Sequence, residues 1–422
     1  MPRSCASLET GLASPSSPEP VTPERFDVVV VGGGILGLAT AYQLLTSRPE
    51  LLIAILEKEA DLATHQSGHN SGVLHAGLYY APGSLKAHLC REGKAMIEEF
   101  AERHDIPVER CGKLVVALDE GELGRFAVLR ERAIANGVAG LEEVGPERIL
   151  EIEPAAAGIR GLWSPETGII DFRRVALTIA QEVRERGVTI FTSRAATGFD
   201  ERGSDAVVST TKGELVARQV IACAGLHADR VAHLSRSPDD PRIVPFRGDY
   251  YTLDPSARGM VRGLIYPVPD PRFPFLGVHF TKRIDGAVWA GPNAVLAFAR
   301  EGYRRRDLRP MELASTLAYP GFMRLARRHL RTGLKEMWRD WWKPAFVREL
   351  QRYVPSIRAD QLTFGPSGVR AQALARDGTL VDDFVLGGSG RVLHIRNAPS
   401  PAATSSLAIG RMLAESTLQR LG

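Results

Sequence analysis

Cysteine is scarce in this sequence. The four residues, Cys5, Cys90, Cys111 and Cys223, are scattered, and none belongs to a Cys-x-x-Cys pair. This argues against a disulfide framework or a zinc site and favours a reducing compartment. No apolar run approaches the roughly 18 residues of a membrane-spanning helix. Residues 1–25 lack the apolar core of a secretory signal, and their Ser, Pro and Glu content predicts disorder.

A large excess of charge of one sign is also lacking. Lys and Arg number 53 against 49 Asp and Glu, and the formal net charge is only +4. Without a basic block or a Cys/His zinc spacing, we expect no nucleic-acid partner. A mildly basic chain suits an anionic small molecule or an anionic membrane surface. With 422 residues, 44% of them hydrophobic, the chain is long enough for two domains.

A dinucleotide-type phosphate loop stands near the N-terminus. The β-branched run at 26–31 leads into Gly32-x-Gly34-x-x-Gly37, and residues 35–45 have helical periodicity. The first glycine permits the turn, the second admits a pyrophosphate, and the third lets the helix pack on the strand. The helix N-terminus adds free N–H groups and positive potential. A glycine-rich turn without a ligand is the alternative.

An acidic residue follows at the distance that such loops require. Residues 51–59, LLIAILEKE, are predicted to form a second buried strand that ends in acidic residues. Glu57 follows the apolar part of this strand and lies 20 residues after Gly37. A carboxylate there accepts hydrogen bonds from an adenosine ribose and disfavours a 2′-phosphate. The motif therefore disfavours NADP and leaves FAD and NAD open.

The segment at 65–80, HQSGHNSGVLHAGLYY, favours FAD over NAD. An NAD enzyme would continue here into an ordinary helix, whereas this stretch is rich in small, hydroxyl and imidazole groups. FAD is the longer cofactor, and its pyrophosphate and ribityl chain need additional polar donors. Suitable donors and close-approach positions are Ser67, His69, Asn70, Ser71 and Gly72. A polar surface loop is the alternative.

The C-terminal segment 396–410 points the same way. Ser400 and Pro401 precede an apolar stretch and are typical of a helix N-terminus. A helix start directed at the flavin N1–C2=O edge would stabilise the anionic reduced ring. An ordinary capped helix is the alternative.

Longer blocks carry a family resemblance. They include TGIIDFRRVAL, CAGLHADR, RIVPFRGDYY, YPVPDPRFPFLGVHFTKRIDG, GPNAVLAF, GPSGVRAQAL and RNAPSPAATSSLAIG. Together with the glycine loop, they resemble the L-2-hydroxyglutarate dehydrogenase/oxidase family of the D-amino-acid-oxidase-like FAD superfamily. The resemblance covers about 26–420 and is loose over 300–356. It implies oxidation of L-2-hydroxyglutarate to 2-oxoglutarate by hydride transfer from C2 to flavin N5. Electrons would pass to a quinone, an electron-transfer flavoprotein or oxygen.

The predicted fold class is α/β, and α+β overall. It combines a discontinuous Rossmann-like FAD-binding domain with a substrate-binding domain built from a mixed β-sheet and helices. We assign 26–105, 150–235 and 365–422 to the first domain, and 106–149 and 236–364 to the second. Further strands are predicted at 111–120, 188–200, 217–225, 242–253, 264–268 and within 276–293. Helices are predicted at 121–137, 171–187, through most of 306–356 and at 407–421.

The expected FAD-binding residues extend from the glycine loop to the C-terminal segment. They are Gly32, Gly34, Ile35, Leu36, Gly37, Glu57, Lys58, Ser67, His69, Asn70, Ser71, Gly72, Ala224, Gly225, Asn397, Ala398, Pro399 and Ser400. His65 and His69 leave a covalent flavin tether open. We expect no metal, because flavin oxidation needs none.

A dicarboxylate substrate calls for cationic side chains. Arg370, in GVRAQ, matches an arginine that holds the substrate carboxylate in the wider superfamily, with a structural salt bridge as the alternative. Arg247 is a second candidate, although Asp249 could simply pair with it. Lys86 could reach the distal carboxylate or could be a solvated helix lysine.

The hydroxyl proton needs an acceptor that works near neutral pH, for which histidine is suited. His75 and His279 are competing candidates, and each could instead be a core histidine. Tyr80 and Tyr251 could donate hydrogen bonds to a carboxylate or pack on a sheet.

A basic aromatic segment, 322–343, suggests a peripheral membrane contact. It holds three of the five tryptophans and seven basic residues against two acidic ones. This composition suits a helix lying on an anionic bilayer. The alternative is a helix packed on the domain with Trp inward and Arg outward. We expect a cytoplasmic protein or one at the inner face of an energy-transducing membrane, mitochondrial in a eukaryote.

Two other functions stay open at this point. One is a related FAD enzyme that oxidises an amino acid, an N-methyl amino acid or glycerol 3-phosphate. The other is a flavin-binding protein without catalytic activity.

Overall fold

The computed structural model describes residues 23–238, 240–270, 277–388 and 390–422. Most of the segment predicted to be disordered, with Cys5, lies outside these residues, and the first strand begins within it, at Glu24. The strands are β1 Glu24–Val31, β2 Ile53–Leu56, β3 Val73–Leu74, β4 Val108–Glu109, β5 Lys113–Ala117, β6 Glu142–Val144, β7 Arg160–Ser164, β8 Gly168–Ile170, β9 Thr189–Phe191, β10 Ala196–Arg202, β11 Asp205–Thr210, β12 Gly213–Ala222, β13 Arg242–Leu253, β14 Leu264–Pro267, β15 His279–Lys282, β16 Val288–Gly291, β17 Val295–Leu296, β18 Leu362–Leu374, β19 Val385–Gly387 and β20 Val392–Asn397. The α-helices are α1 Ile35–Ser47, α2 Leu85–Arg103, α3 Leu123–Ala135, α4 Pro146–Ile152, α5 Phe172–Glu185, α6 Ala228–Leu234, α7 Pro310–Leu317, α8 Pro320–Trp341, α9 Lys343–Leu350 and α10 Ser406–Leu421.

The first sheet is built around β1. Its strand order is β10-β11-β12-β1-β2-β9, and β20 also pairs with β12. β1 runs parallel to both β2 and β12. Val28 and Val30 belong to the core shared with α1, α5 and α10, whereas Val29 and Val31 belong to the core on the opposite face. A central parallel strand is covered on both faces, which explains its continuous β-branched sequence.

The second sheet has nine strands, in the order β17-β13-β16-β15-β14-β5-β7-β6, with β18 added on β13. One of its cores includes Phe280 and α9, and another packs β5 and β14 against α3. A small third sheet joins β3, β8 and β4. The predicted fold class is confirmed: parallel α/β and mixed sheets occur together in one chain.

The domain boundaries remain a prediction, and two strands pair outside the predicted domain. β7 and β18 lie largely within ranges assigned to the FAD-binding domain, but both belong to the second sheet. β7 pairs antiparallel with β5, and β18 pairs with β13 along almost its whole length. The strand partners that decide this membership are 43–51 residues apart for β7 and 109–132 residues apart for β18.

Local predictions were accurate except at two places. The single strand expected over 188–200 is wrong, because Ser193 has φ +51° and separates β9 from β10. The helix predicted at 407–421 begins one residue earlier, at Ser406, but Ser400 and Pro401 lie in turns before it and not at its N-terminus. Turns precede this helix: the Ala402 N–H donates to Pro399 O at 2.9 Å, and the Ser405 N–H donates to Pro401 O at 3.0 Å. The predicted strand region 276–293 yields β15 and β16, and residue 276 lies outside the described residues.

The crossing of α1 and α10 depends on Gly410. A Cβ at Gly410 would lie 2.7 Å from the carbonyl carbon and oxygen of Ala39. We expect Gly410→Ala to lower the free energy of unfolding by about 1–3 kcal/mol, because the two helices must separate. Gly333→Ala in α8 is the control, since a Cβ there meets nothing within 4 Å. Denaturant unfolding measures both, and equal stability of the two variants would contradict the packing argument.

Candidate functional site

The glycine loop lies where the carboxyl ends of three parallel strands meet. The Gly32 N–H donates to Leu56 O at 2.7 Å, and the Cys223 N–H donates to Val31 O at 2.7 Å. Gly32 has φ +115°, and a Cβ there would lie 2.4 Å from the Cys223 carbonyl oxygen. A Cβ at Gly37 would lie 2.0 Å from Gly32 O. Any side chain at these two positions would push the helix and the loop apart.

Glu57 is held against this loop. Its Oε2 accepts the Gly33 N–H at 2.8 Å, and its Oε1 accepts the Glu59 N–H at 2.9 Å. Ser67, from the predicted polar segment, accepts the Ile35 N–H at 2.9 Å at the start of α1. These bonds hold a carboxylate and a hydroxyl beside the N-terminus of α1, in a region of positive potential.

A cavity of about 1280 Å³ runs from the glycine loop to the second sheet. Its volume exceeds the roughly 300–1,000 Å³ of most small-ligand sites. The predicted site residues that line it are Gly32, Gly34, Ile35, Leu36, Glu57, Lys58, Ser67, His69, Asn70, Ser71, Gly72, His75, Tyr80, Lys86, Ala224, Gly225, His279, Arg370, Asn397, Ala398, Pro399 and Ser400. Gly37, Arg247 and Tyr251 are not among its lining residues.

Thr404 joins two segments of the cavity wall that are far apart in sequence. Its hydroxyl accepts the His75 N–H at 3.2 Å and lies 3.3 Å from Val73 O, to which it donates. His69 Nδ1 lies 3.1 Å from Ser367 O at the end of the second sheet. The polar segment 65–80 therefore lies between both sheets and the C-terminal turns.

Two uncharged imidazoles and one guanidinium line the end of the cavity at the second sheet. His279 Nδ1 lies 2.9 Å from Gly277 O, which assigns the proton to Nδ1 and leaves the Nε2 lone pair free. Burial lowers the pKa of His279 to about 3. Burial also holds the pKa of His75 well below its ordinary value and lowers the pKa of Arg370.

Arg247 and Tyr251 lie on the opposite face of β13 from the cavity. Arg247 Nε lies 2.9 Å from Asp249 Oδ1, and its guanidinium also pairs with Asp340 at 3.3 Å. Tyr251 packs on Phe346. The Asp249 pairing that the sequence left open is therefore the one observed. Tyr250, one residue earlier, lines the cavity because adjacent strand residues face opposite sides.

Lys86 and Tyr80 form one polar group at the cavity wall. Lys86 Nζ lies 2.8 Å from Asp382 Oδ1 and 5.5 Å from the centre of the Tyr80 ring. Lys86 is buried rather than solvated, whereas Asp382 is almost fully exposed.

Comparison with known proteins identifies the family. Residues 27–416 match the family FAD dependent oxidoreductase. The L-2-hydroxyglutarate dehydrogenase, mitochondrial, of Nematostella vectensis is 50% identical over 94% of this chain and 91% of its own length. That of Homo sapiens is 48% identical (94% and 89%), and the L-2-hydroxyglutarate dehydrogenase of Indibacter alkaliphilus is 43% identical (94% and 99%).

The chain belongs to the L-2-hydroxyglutarate dehydrogenase family of FAD-dependent oxidoreductases. Solved structures agree in fold. An L-alpha-glycerophosphate oxidase from Mycoplasma pneumoniae with FAD bound has a TM-score of 0.76 at 24% identity, covering 94% of this chain and 95% of that one. A glycine oxidase from Geobacillus kaustophilus has a TM-score of 0.66 at 19% identity, covering 94% and 95%. FAD is thus the cofactor of this family, as predicted.

The residues at the glycine loop and the C-terminal turns fit FAD. Gly34 presents bare backbone where a pyrophosphate would approach, since a Cβ there would lie 3.2 Å from Ser67 Oγ, and Glu57 lines the same cavity. Asn397 is buried, and its Oδ1 has no hydrogen-bond partner among the described residues. A buried acceptor left without a partner is costly unless a ligand donates to it. Asn397 Oδ1 is therefore available to accept a hydrogen bond from bound flavin.

One cluster near the glycine loop has metal-type ligands. Single ligand atoms of Glu59, His65 and Glu301 lie within 4.8 Å of one another. Lys58 contacts both carboxylates through Nζ, and His227 lies 2.9 Å from Glu301. The Lys58 ammonium occupies the position that a cation would take, so these contacts are those of an ion-pair network. The pKa of Lys58 is raised, with burial opposing and Glu301 and Glu59 favouring the charged amine.

Sequence reasoning missed Tyr79, Tyr250 and Tyr266, which line the cavity at its end near the second sheet. Tyr266 stacks on His279, with ring centres 3.9 Å apart. In sequence these tyrosines are typical of sheet packing. The family resemblance of YPVPD, which contains Tyr266, was the available signal.

Proposed function

We propose that this protein oxidises L-2-hydroxyglutarate to 2-oxoglutarate with FAD. The observation that carries the proposal is the meeting of Arg370, His75 and His279 in the cavity that also holds the glycine loop. Relatives that are 43–50% identical over most of this chain bear the name L-2-hydroxyglutarate dehydrogenase, which supports the substrate.

Each group in this arrangement has a distinct task. Bound FAD supplies the hydride acceptor. Arg370 offers a planar guanidinium that binds a carboxylate through two hydrogen bonds and orients C2. An uncharged imidazole accepts the hydroxyl proton, for which His279 presents Nε2. The low pKa of His279 means that its base form is fully populated at neutral pH before substrate binds.

Anaerobic mixing of the holoenzyme with a substrate panel tests this function. We expect L-2-hydroxyglutarate to bleach the flavin absorbance, because its oxidation at C2 transfers a hydride to the flavin. D-2-hydroxyglutarate, glycerol 3-phosphate, amino acids and N-methyl amino acids serve as comparisons. Bleaching by one of these instead would assign a different substrate, and a flavin that photoreduction bleaches but none of these compounds does would identify a non-catalytic flavoprotein.

Single replacement of the two histidines tests the base. We expect His279→Gln to lower kcat by about 10²–10⁴-fold with FAD retained, because glutamine fills the space but accepts no proton at neutral pH. We expect His75→Gln to have a smaller effect on kcat. Stopped-flow flavin reduction measures both, and the reverse order of effects would assign the base to His75.

We propose further that α8 contacts an anionic membrane surface, where electrons pass to a quinone. Trp338 is 50% exposed and Trp341 is 68% exposed, so the alternative with tryptophans inward does not describe this helix. The exposed apolar side chains recur on one helical face: Leu330, Leu334, Met337, Trp338 and Trp341. Exposed Arg331 and Lys335 lie on the adjoining face, and exposed Arg327 and Arg328 precede the break in helical backbone at His329. This arrangement is typical of interfacial helices.

Other facts limit this proposal to a peripheral contact. No helix in the described part of the chain is long and apolar enough to cross a membrane. The relatives from Nematostella vectensis and Homo sapiens are named mitochondrial. A location on the inner face of an energy-transducing membrane would bring the flavin to its acceptor. An electron-transfer flavoprotein or oxygen would need no such surface.

Vesicle binding tests the membrane contact. We expect Trp338→Glu with Trp341→Glu to weaken co-sedimentation with anionic phospholipid vesicles roughly tenfold or more, since burying one large apolar side chain is worth about 1.5–3 kcal/mol. Leu52→Glu with Ile134→Glu is the control, because both residues are exposed elsewhere on the surface. Equal binding by both double variants and the unaltered protein would exclude α8 as the contact.

A further inference from the structure

Lys113, at the start of β5, is a buried cation that the reaction described so far does not use. Its side chain is 0% exposed. Its Nζ has no hydrogen-bond partner among the described residues. Burying an amine without a partner is costly, and folded proteins almost always pair such groups. Packing alone does not explain why a lysine is buried in this way.

The ammonium lies directly behind the substrate end of the cavity. Nζ is 4.3 Å from the ring centre of Tyr266 and 5.2 Å from that of Tyr79, so both rings offer it their π faces. Tyr79 and Tyr266 line the cavity, and Tyr266 stacks on His279. One layer of aromatic rings therefore separates Lys113 from the space where substrate would lie.

Two other cations at this end already have acidic partners. Lys86 pairs with Asp382, and Arg125 pairs with Asp270 at 3.3 Å. The thiols of Cys90 and Cys111 near Lys113 stay uncharged, because burial raises the pKa of each to about 12. The charge of Lys113 is thus not balanced by a carboxylate among the described residues.

We propose that Lys113 is the second countercharge for a dianionic substrate, a specificity-determining residue that acts across the Tyr79–Tyr266 layer while Arg370 binds one carboxylate directly. This inference rests on the proposed oxidation of L-2-hydroxyglutarate. At an effective dielectric of about 20 and a separation of roughly 8–10 Å, one extra negative charge on the substrate strengthens its binding roughly tenfold or more. A monocarboxylate of the same length lacks that gain.

The proposal also predicts that Lys113 takes up protons when a dianion binds. Burial lowers its pKa to about 7, so the amine is only partly protonated in the empty cavity at neutral pH. A bound dianion favours the ammonium and raises this pKa. Binding should therefore take up protons at about pH 8.5, and should take up few at pH 6, where the amine is already charged. The other titratable groups around it are His75, Tyr79, Lys86, Cys90, Cys111, Tyr266, His279 and Arg370.

These neighbours do not produce the same signature. The two histidines have lowered pKa values and stay neutral at pH 8.5 unless their pKa rises far above its ordinary value. Burial raises the pKa of each tyrosine and cysteine, so these groups are already protonated at pH 8.5 and cannot take up a further proton. Proton uptake that is lost with Lys113 therefore reports the lysine.

Binding of two 2-oxo acids to the oxidised holoenzyme tests the proposal. We expect Lys113→Met to weaken 2-oxoglutarate roughly tenfold more than 2-oxopentanoate in flavin absorbance titrations. Lys282→Met is the matched control, a partly exposed lysine of the same sheet paired with Glu109. An equal loss of affinity for both ligands in Lys113→Met, or no loss, would overturn the proposal.

Proton uptake by the unaltered holoenzyme gives a second test that needs no variant. Calorimetry of 2-oxoglutarate binding in buffers of different ionisation enthalpy should show uptake at pH 8.5 that 2-oxopentanoate does not produce. Equal uptake with both ligands, or none, contradicts the proposal. Failure of the proposed function is seen separately, as a flavin that L-2-hydroxyglutarate does not bleach.

Discussion

The close contact between α1 and the loop at its N-terminus sets the geometry of the cavity wall at the first sheet. Gly37 lets the helix approach Gly32 O, and Gly32 lets the loop pass the Cys223 carbonyl. With that approach, the ends of β1, β2 and β12 open towards one cavity. Gly410 extends the same close packing to α10, which carries the C-terminal turns to the cavity wall.

The substrate end of the cavity combines burial with positive charge. Arg370 and Lys113 are both buried, and burial lowers the pKa of both. Uncharged imidazoles from the segment 65–80 and from β15 lie in the same region. In a low-dielectric site, positive charge favours an anion and opposes protonation of a nearby histidine. In the proposed function, substrate binding and proton acceptance would therefore have one physical origin.

Much of the FAD region was predictable from sequence because its signals are local. The glycine spacing, the acid after β2 and the polar segment 65–80 each depend on a few consecutive residues. Ser400 and Pro401 are typical of a helix N-terminus, but they belong to turns that precede α10. Turn and helix-start signals use the same residue types, so only the backbone distinguishes them.

The sequence by itself determined the family, the cofactor loop and the residues closest to it, because a phosphate loop is built from one strand–turn–helix unit. Which residues face the cavity depends on the packing of distant strands. Tyr250 faces the cavity and Tyr251 does not, because β13 alternates its side chains between two faces. Arg247 pairs with Asp249 and Asp340 on the far face. The position of Lys113 beside Tyr266 depends on the pairing of β14 with β5. This pairing joins residues about 150 apart in sequence, and no local pattern encodes it.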